Sequence, residues 1–456
     1  MRNRPSFLKF LREIQKISRR VLTQRKKSCI LRSNRLLTYC QAQEGVIHYE
    51  SYRRQCLLVL IAMCGMIATS LGILTNTAGL FFSPVAEDFG IGIGNVSLTL
   101  TICNLAYAAS GMAVPALVNG RNFKKVILAG TIISAAATAA MCAARNVQFL
   151  YLMSAARGAA GGILGMVLVT IVINGWFHEG NALATSVAMA CSGLTGAALS
   201  PVLSAVIQNA GWRSGYLVSA ALIAAFNLPA VLFPFTLTPE ESNLPPFGER
   251  KTETKIEPDA AALVTVRRSL FCMAMAYGIL TSFATAFPQH FPGLTGAYAL
   301  PAVTGALMLS VCMAANTAGK VLLGALIDRI GSKKSLLLYS ALVTLSLFGM
   351  LFLRASLPME IAAGLYGLSY GLTIVGGVMV TRDLFGLQNY GGVYPTVSMG
   401  IAVANAVGSS VIGFLYDVSG SYGIAIGLLL VMMASVTLLI LRMYRKIPRT
   451  SIDTLS

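Results

Sequence analysis

Runs of about 20 mainly apolar residues recur along this 456-residue chain, and they restrict its fold more than any other feature. A helical run of that length crosses the hydrocarbon core of a bilayer. Lipid offers no hydrogen-bond partner to backbone N–H and C=O groups, so each crossing run must be an α-helix. Only 11 % of the residues are charged, whereas a typical soluble protein has about a quarter. We therefore expect an all-α integral membrane protein.

Twelve runs meet this description, and a break in the apolar pattern separates the first six from the last six. The break covers residues 237–267 and contains Pro239, Pro245 and Pro246. The sequence thus predicts a six-helix bundle over 55–236, a linker over 237–267 and a second six-helix bundle over 268–446. The predicted helices cover residues 56–84, 95–118, 125–143, 147–175, 182–208, 213–236, 268–291, 301–327, 335–353, 359–381, 391–416 and 421–443.

Lysine and arginine are distributed unevenly between the two sides of these spans. With the N-terminus in the cytoplasm, thirty of the 35 basic residues lie on the cytoplasmic side, and only Arg145, Arg213 and Arg354 lie outside. Cytoplasmic loops of membrane proteins carry such an excess. We expect a multi-pass plasma-membrane protein with a basic cytoplasmic tail over 1–54 and a second cytoplasmic tail over 447–456.

The net charge of +18 has the same origin. The basic loops face anionic lipid, so the bilayer is the expected partner and no nucleic acid is expected. The tail over 1–54 holds fourteen basic residues, and both an interfacial helix over 7–22 and an unstructured tail fit its composition.

Signatures of catalysis and of bound cofactors are missing from the sequence. It has no phosphate-binding P-loop and no HExxH, and its nine cysteines form no CxxC pair. We therefore expect no enzyme activity, no metal and no cofactor.

Two motifs resemble signatures of the major facilitator superfamily. The segment GALIDRIGSKK over 324–334 is similar to the loop signature of that family, and PALVNGRNFKK over 115–125 is a degraded copy at the matching place in the first half. The fourth span carries RGAAGGILG, which resembles the family's RxxxGxxxG motif at Arg157, Gly161 and Gly165. The resemblance implies twelve helices in two pseudo-symmetric bundles that transport a solute by alternating access. It also implies a monomer.

In that family the loop signature tethers the two bundles in one conformation. In one conformation an acidic side chain would bind a neighbouring helix end or an arginine, and in the other conformation this contact would break. The alternative is a simple solvated turn. The residues that the resemblance assigns to this gating motif are Gly324, Asp328, Arg329, Gly331, Lys333 and Lys334.

Only two charged residues, Arg157 and Lys320, lie well inside predicted spans. A charge at the bilayer centre costs about 2.5–3.5 kcal/mol, so each needs a partner or a task. All 17 acidic residues fall in loops or at span ends, which leaves a bound anion as the available counter-charge. Asn316 lies one turn before Lys320 on the same helix face. Snorkelling of Lys320 to the cytoplasmic interface is the competing interpretation.

Lys320 resembles the basic residue that carboxylate transporters of this superfamily carry in the eighth helix. Both the monocarboxylate transporters and the oxalate/formate antiporters use that residue to bind a substrate carboxylate. The first group has aspartate where this chain has Asn316, and the second has another cation at a position that aligns with Met399. One cation matches one carboxylate. The resemblance therefore implies a monocarboxylate, with exchange for another anion and symport with a proton both open.

Further polar residues inside the spans are candidates for a substrate pocket. They could equally hold helices together, which is the common role of polar groups in membrane helices. Arg157 has the same two interpretations. The rival functions are proton-coupled export of drugs or hydrophobic compounds, and a transporter-like sensor. The additional candidates for substrate binding are Asn76, Tyr107, Tyr277 and Tyr394.

Overall fold

The computed structural model describes residues 54–178, 180–242 and 268–446. Contacts divide the chain into two units, Met1–Gln55 and Cys56–Ser456, and the helices discussed below belong to the second. Apart from Arg54, the predicted basic tail lies outside the described residues, as does the helix predicted over 7–22. The same holds for the C-terminal tail and for the linker beyond residue 242.

Eleven helical segments are long and apolar enough to cross a membrane. One of them, Leu183–Leu232, contains Gly211 with φ 79° and ψ 163°, so two helices meet there and the described chain has twelve spans. The prediction of a twelve-helix membrane protein is confirmed. We number the helices α1 Arg54–Phe89, α2 Ile93–Leu117, α3 Phe123–Ala143, α4 Val147–Trp176, α5 and α6 the two parts of Leu183–Leu232, α7 Arg268–Ala297, α8 Ala302–Ile330, α9 Ser332–Phe352, α10 Ser356–Gly386, α11 Gly392–Ser419 and α12 Tyr422–Arg445.

Left-handed backbone conformations recur at matching junctions of the two halves. Seven described residues have positive φ, and six of them follow the first, fourth or fifth helix of a half. Glycine adopts this conformation without the steric cost of a Cβ atom. The repetition supports the internal symmetry that the loop motifs indicate. The three pairs are Gly90 with Ala299, Gly180 with Gly386, and Gly211 with Gly420.

The first helix of each three-helix repeat is irregular. In α1, a π-helical stretch over Ala68–Asn76 precedes a 3₁₀ turn over Ala78–Phe81. Helix α7 has a 3₁₀ turn at Phe287–His290, α4 breaks at Gly165, and α10 is π-helical over Leu372–Gly376. Irregular membrane helices commonly lie beside a substrate site, because their backbone is buried in protein there.

The two halves are joined at one end of the bundle, where α2 begins and α11 finishes. The Asp417 carboxylate accepts hydrogen bonds from Ile93 N and Gly94 N, each at 2.8 Å. The first N–H groups of a helix have no partner inside the helix and carry partial positive charge, so a carboxylate satisfies both needs. We call this the Asp417 end; the predicted orientation assigns it to the outside.

Glycines allow the helices to approach closely at the Asp417 end. A Cβ atom on Gly413 of α11 would lie 2.8 Å from the Gly94 Cα atom of α2. A second contact joins α1 to α7: Gly79 N donates a hydrogen bond to Gln289 Oε1 at 2.8 Å. Deeper in the bundle, Thr101 Oγ1 donates to Ala406 O at 2.7 Å. These contacts join α1 to α7 and α2 to α11 and thereby close this end.

Replacing Gly413 with leucine should open the Asp417 end. The added side chain would press on the backbone of Gly94, and overpacking typically costs about 1–3 kcal/mol. We expect a Ser97→Cys reporter, which is fully buried beside this contact, to react at least about fivefold faster with a maleimide. Rates are corrected for the native cysteines. Gly427→Leu is the matched control because an added Cβ there meets open space; equal rates in both variants would contradict the assignment.

Candidate functional site

A cavity of about 300 Å³ lies between the two halves. Helices α1, α2 and α5 line it from the first half, and α7, α8, α10 and α11 line it from the second. Nineteen described residues form the lining, and thirteen of them have polar side chains, although most of the exposed lining surface is apolar. The cavity therefore suits a solute with both apolar and hydrogen-bonding parts. The six that matter most below are Asn76, Asn104, Gln289, Asn316, Lys320 and Asn405.

Lys320 is the one charged side chain among the described lining residues. Its ammonium group makes no hydrogen bond or ion pair with any residue that the structure describes. The next two residues of α8, Val321 and Leu322, are 68 % and 59 % exposed. Lys320 is half-buried on the cavity side of α8, whereas Val321 and Leu322 lie on another, exposed face of the helix, and no described residue compensates its charge.

Asn316 lies one helical turn before Lys320, on the same face of α8. It is 3 % exposed, and its Nδ2 atom faces Met313 Sδ at 3.9 Å. Its Oδ1 atom is buried and has no hydrogen-bond partner within the described part of the chain. A buried amide oxygen without a partner costs about 1–3 kcal/mol, which makes this atom a candidate ligand contact.

The first half contributes two asparagines to the opposite wall. Asn76 Nδ2 donates to Ser192 O at 3.0 Å, a bond that joins α1 to α5. Asn104 of α2 lines the cavity, and its side chain has no hydrogen-bond partner in the described ranges. The wall formed by the first half is thus uncharged but rich in amide groups.

The remaining amides come from α7 and α11. Asn405 Nδ2 donates to Thr285 Oγ1 at 2.8 Å, and the Thr285 hydroxyl in turn donates to Ser282 O at 2.6 Å. Tyr370 OH of α10 donates to Thr285 O at 3.0 Å. Gln289 belongs both to the cavity lining and to the contact that closes the Asp417 end. Hydrogen bonds therefore connect the cavity wall directly to the closed end.

Three of the residues that the sequence nominated for substrate binding meet in this cavity: Lys320, Asn316 and Asn76. The three nominated tyrosines lie outside the lining. Tyr107 OH accepts a hydrogen bond from Met166 N at 3.0 Å, at the break in α4. Tyr277 OH donates to Leu372 O at 2.9 Å and is fully buried. Tyr394 stacks on Tyr390 with ring centroids 5.0 Å apart.

Arg157 also lies outside the cavity lining, at the interface between α4 and α2. It is 5 % exposed, its guanidinium group lies near the Cys103 side chain, and its buried Nε atom has no hydrogen-bond partner among the described residues. A Cβ atom on the adjacent Gly158 would collide with the Cys103 backbone, so the two helices touch here. Gly161 and Gly165 of the same motif approach Leu74 and Tyr107. This geometry favours the structural interpretation of Arg157 over the substrate-binding one.

The loop signature forms the junction between α8 and α9. Gly331, with φ 81°, is the single residue between Ile330 and Ser332, so the two helices connect by a very tight turn. Asp328 and Arg329 are exposed in the last turn of α8. The gating role of Gly324, Asp328, Arg329, Gly331, Lys333 and Lys334 stays a prediction.

Asn104, Gln289 and Asn405 are cavity residues that sequence reasoning missed. Each is an amide inside a long apolar run, which is the same signal that identified Asn76. Met399, the position aligned with a second cation in oxalate/formate antiporters, is 64 % exposed and lies outside the lining. The positions of α11 that face the cavity are Ile401, Ala402, Asn405 and Ser409.

Separate comparisons with known proteins agree on one family. The model of the Major Facilitator Superfamily matches residues 58–359 and 291–454. Rat monocarboxylate transporter 4 is 23 % identical over 182 residues, 40 % of this chain and 39 % of that protein. The chain thus spans about two fifths of that relative's length.

Two longer matches cover most of the chain. The uncharacterized MFS-type transporter YcxA of Bacillus subtilis is 25 % identical over 369 residues, 77 % of this chain and 83 % of that protein. Rat monocarboxylate transporter 13 is 24 % identical over 80 % of this chain and 83 % of its own length. The solved structure of the nucleoside transporter NupG has a TM-score of 0.63 at 10 % identity, covering 86 % of this chain and 99 % of that one. A likeness at that identity concerns the fold alone.

Tyr107→Phe should destabilise the protein. The change removes the hydroxyl that accepts from Met166 N at the start of a helical segment, and losing a helix cap costs about 1 kcal/mol. Thermal unfolding of the purified protein should shift to lower temperature. Tyr394→Phe is the matched control, because the Tyr394 hydroxyl bonds to no described residue and the ring stacking remains. Equal midpoints for the two variants would contradict a capping role.

Proposed function

The chain belongs to the major facilitator superfamily, and on that premise we propose that it moves a small organic anion, a monocarboxylate, across the plasma membrane by alternating access. The observation that carries the proposal is Lys320, a cation in the wall of the cavity between the halves without a partner among the described residues. An isolated charge inside a membrane bundle is costly, and a bound carboxylate would compensate it.

The number of charges favours one carboxylate. The described lining offers one cation and no acidic side chain, so an anion with a single negative charge would be neutralised and a dianion would not. The relatives named monocarboxylate transporters support the same substrate class. Rival export of a hydrophobic compound with proton antiport has less support, because the described lining holds no carboxylate to carry the proton.

The proposal also covers how transport is coupled and how the protein is oriented in the membrane. Exchange for a second anion, or symport with a proton bound elsewhere, would balance the transported charge. We infer that both termini face the cytoplasm, so that the Asp417 end is extracellular and Lys320, about two thirds of the way along α8, lies toward the cytoplasmic side. The closed Asp417 end then corresponds to an inward-facing conformation of a monomer.

Lys320→Ala should abolish anion transport. Losing a charge-assisted hydrogen bond to the carboxylate costs about 1.5–3 kcal/mol, or about ten- to a hundredfold in affinity. Uptake of radiolabelled lactate, pyruvate, formate and oxalate into proteoliposomes measures the effect, with and without preloaded counter-anion.

Two further variants sharpen this experiment. Lys320→Arg keeps the charge and should retain part of the activity. Arg145→Ala removes an exposed loop cation far from the cavity and should transport like the unaltered protein. If Lys320→Ala takes up the best anion as fast as the unaltered protein does, the proposal is refuted.

Asn316→Asp should make transport depend on acid. An ionised carboxylate one turn from Lys320 would neutralise the cation, so anion binding would require that the new carboxyl group be protonated. The apparent affinity should then fall as pH rises, by up to about tenfold per pH unit, since one proton binds with each anion. Concentration dependence of uptake between mildly acidic and neutral pH gives the slope. The unaltered protein is the control, and an equal affinity at every pH in the variant would refute the Lys320 site.

A further inference from the structure

We propose that the transported anion carries hydroxyl or N–H groups on the part of the molecule remote from its carboxylate, and that the amide oxygens of Asn76 and Asn405 accept hydrogen bonds from them. This inference rests on the proposed function and specifies its substrate class: a hydroxylated or similarly donor-bearing monocarboxylate of about nine non-hydrogen atoms.

The cavity has room for an anion larger than a three-carbon acid. A water molecule takes up about 30 Å³ of liquid, so about 300 Å³ corresponds to roughly ten waters. Counted generously as one water volume per non-hydrogen atom, lactate or pyruvate would fill about 180 Å³. A substrate with about nine such atoms would fill most of the cavity.

The asparagine side chains leave acceptors, not donors, available to that substrate. Asn76 Nδ2 donates to the carbonyl oxygen of Ser192, which can only accept. Asn405 Nδ2 donates to Thr285 Oγ1, whose own proton goes to Ser282 O. Asn316 Nδ2 faces the Met313 sulfur, which also only accepts.

The chemistry of the partners therefore fixes the orientation of all three amides. Each Oδ1 atom has no hydrogen-bond partner among the described residues, and Asn316 Oδ1 is buried as well. A cavity wall with three open acceptors favours a ligand that supplies hydrogen-bond donors, because an apolar or acceptor-only ligand would leave these oxygens unsatisfied.

The positions of Lys320 and Asn405 along their helices separate this acceptor from the cation. Lys320 is eighteen residues from the start of α8, about 27 Å along a helix. Asn405 precedes Asp417 by twelve residues of α11, about 18 Å. Since α8 starts and α11 finishes at the Asp417 end, Asn405 lies closer to that end than Lys320 does. A carboxylate on Lys320 would direct the rest of the anion toward the amides.

Positional isomers of hydroxyhexanoate test the inference with the full-length protein in lipid nanodiscs. Binding of hexanoate and of its 4-, 5- and 6-hydroxy derivatives is measured from ligand-induced thermal stabilisation. At least one hydroxy isomer should bind about fivefold or more tightly than hexanoate. The methyl ether of that isomer, which retains an acceptor but no donor, should lose the gain.

Variants locate the effect. Asn405→Leu should remove the preference for the hydroxyl group, measured within the variant as the ratio of its affinities for the best hydroxy isomer and for hexanoate. Asn389→Leu is the matched control, since Asn389 bonds to Phe385 O and lies outside the cavity lining. If Asn405→Leu does not fold, Asn76→Leu provides the same comparison from the first half.

The outcomes separate this inference from the proposed function. Lys320-dependent binding of hexanoate without any gain from a hydroxyl group overturns the inference and leaves the proposed function standing. A gain that the methyl ether shares, or that persists in both asparagine variants, also overturns it. If no carboxylate binds to the unaltered protein more tightly than to Lys320→Ala, both this inference and the proposed function are overturned.

Discussion

The contact between the Asp417 carboxylate and the first N–H groups of α2 is the interaction on which the rest of the arrangement depends. It joins the two halves at one end, and the glycines at Gly94 and Gly413 let the helices meet backbone to backbone. A cavity between two bundles requires such a closure, since helices separated at both ends would leave an open channel. When the helices separate, water can replace the carboxylate as the hydrogen-bond partner of these N–H groups. The contact can therefore break and re-form at a modest cost in free energy.

The cavity wall and the closed end share residues. Gln289 lines the cavity and accepts from Gly79 N across the closure, and Ser409 lines the cavity and contacts the buried His290 beside it. A ligand that draws on Asn405 and Thr285 therefore acts on the same helix, α7, that closes the end. The π-helical stretch of α1 and the 3₁₀ turn of α7 are points at which these two helices can bend. Hydrogen bonds thus connect the cavity wall to the closed end through α7.

Individual residues show how far sequence reasoning reached into the site. Lys320 and Asn316 were predictable because their spacing alone places them on one helix face, and a charge in an apolar run demands explanation. The substrate role of Tyr107 and Tyr277 stays a prediction. Each hydroxyl bonds to the backbone of an irregular helix outside the cavity lining, and nothing local in the sequence reveals such an irregularity. Asn104, Gln289 and Asn405 carried a readable signal, since each amide lies in an apolar run.

The sequence by itself determined the number of helices, because lipid forces every long apolar run into a helix with its backbone bonds satisfied internally. It also placed Lys320 inside an apolar run and indicated the repetition of the two halves. Only the tertiary structure decided which amides line the same cavity as that lysine and which of their atoms lack a partner among the described residues. Those features arise from bonds between helices far apart in the chain, such as Asn76 to Ser192 and Asn405 to Thr285, and helical periodicity carries no information about such pairings.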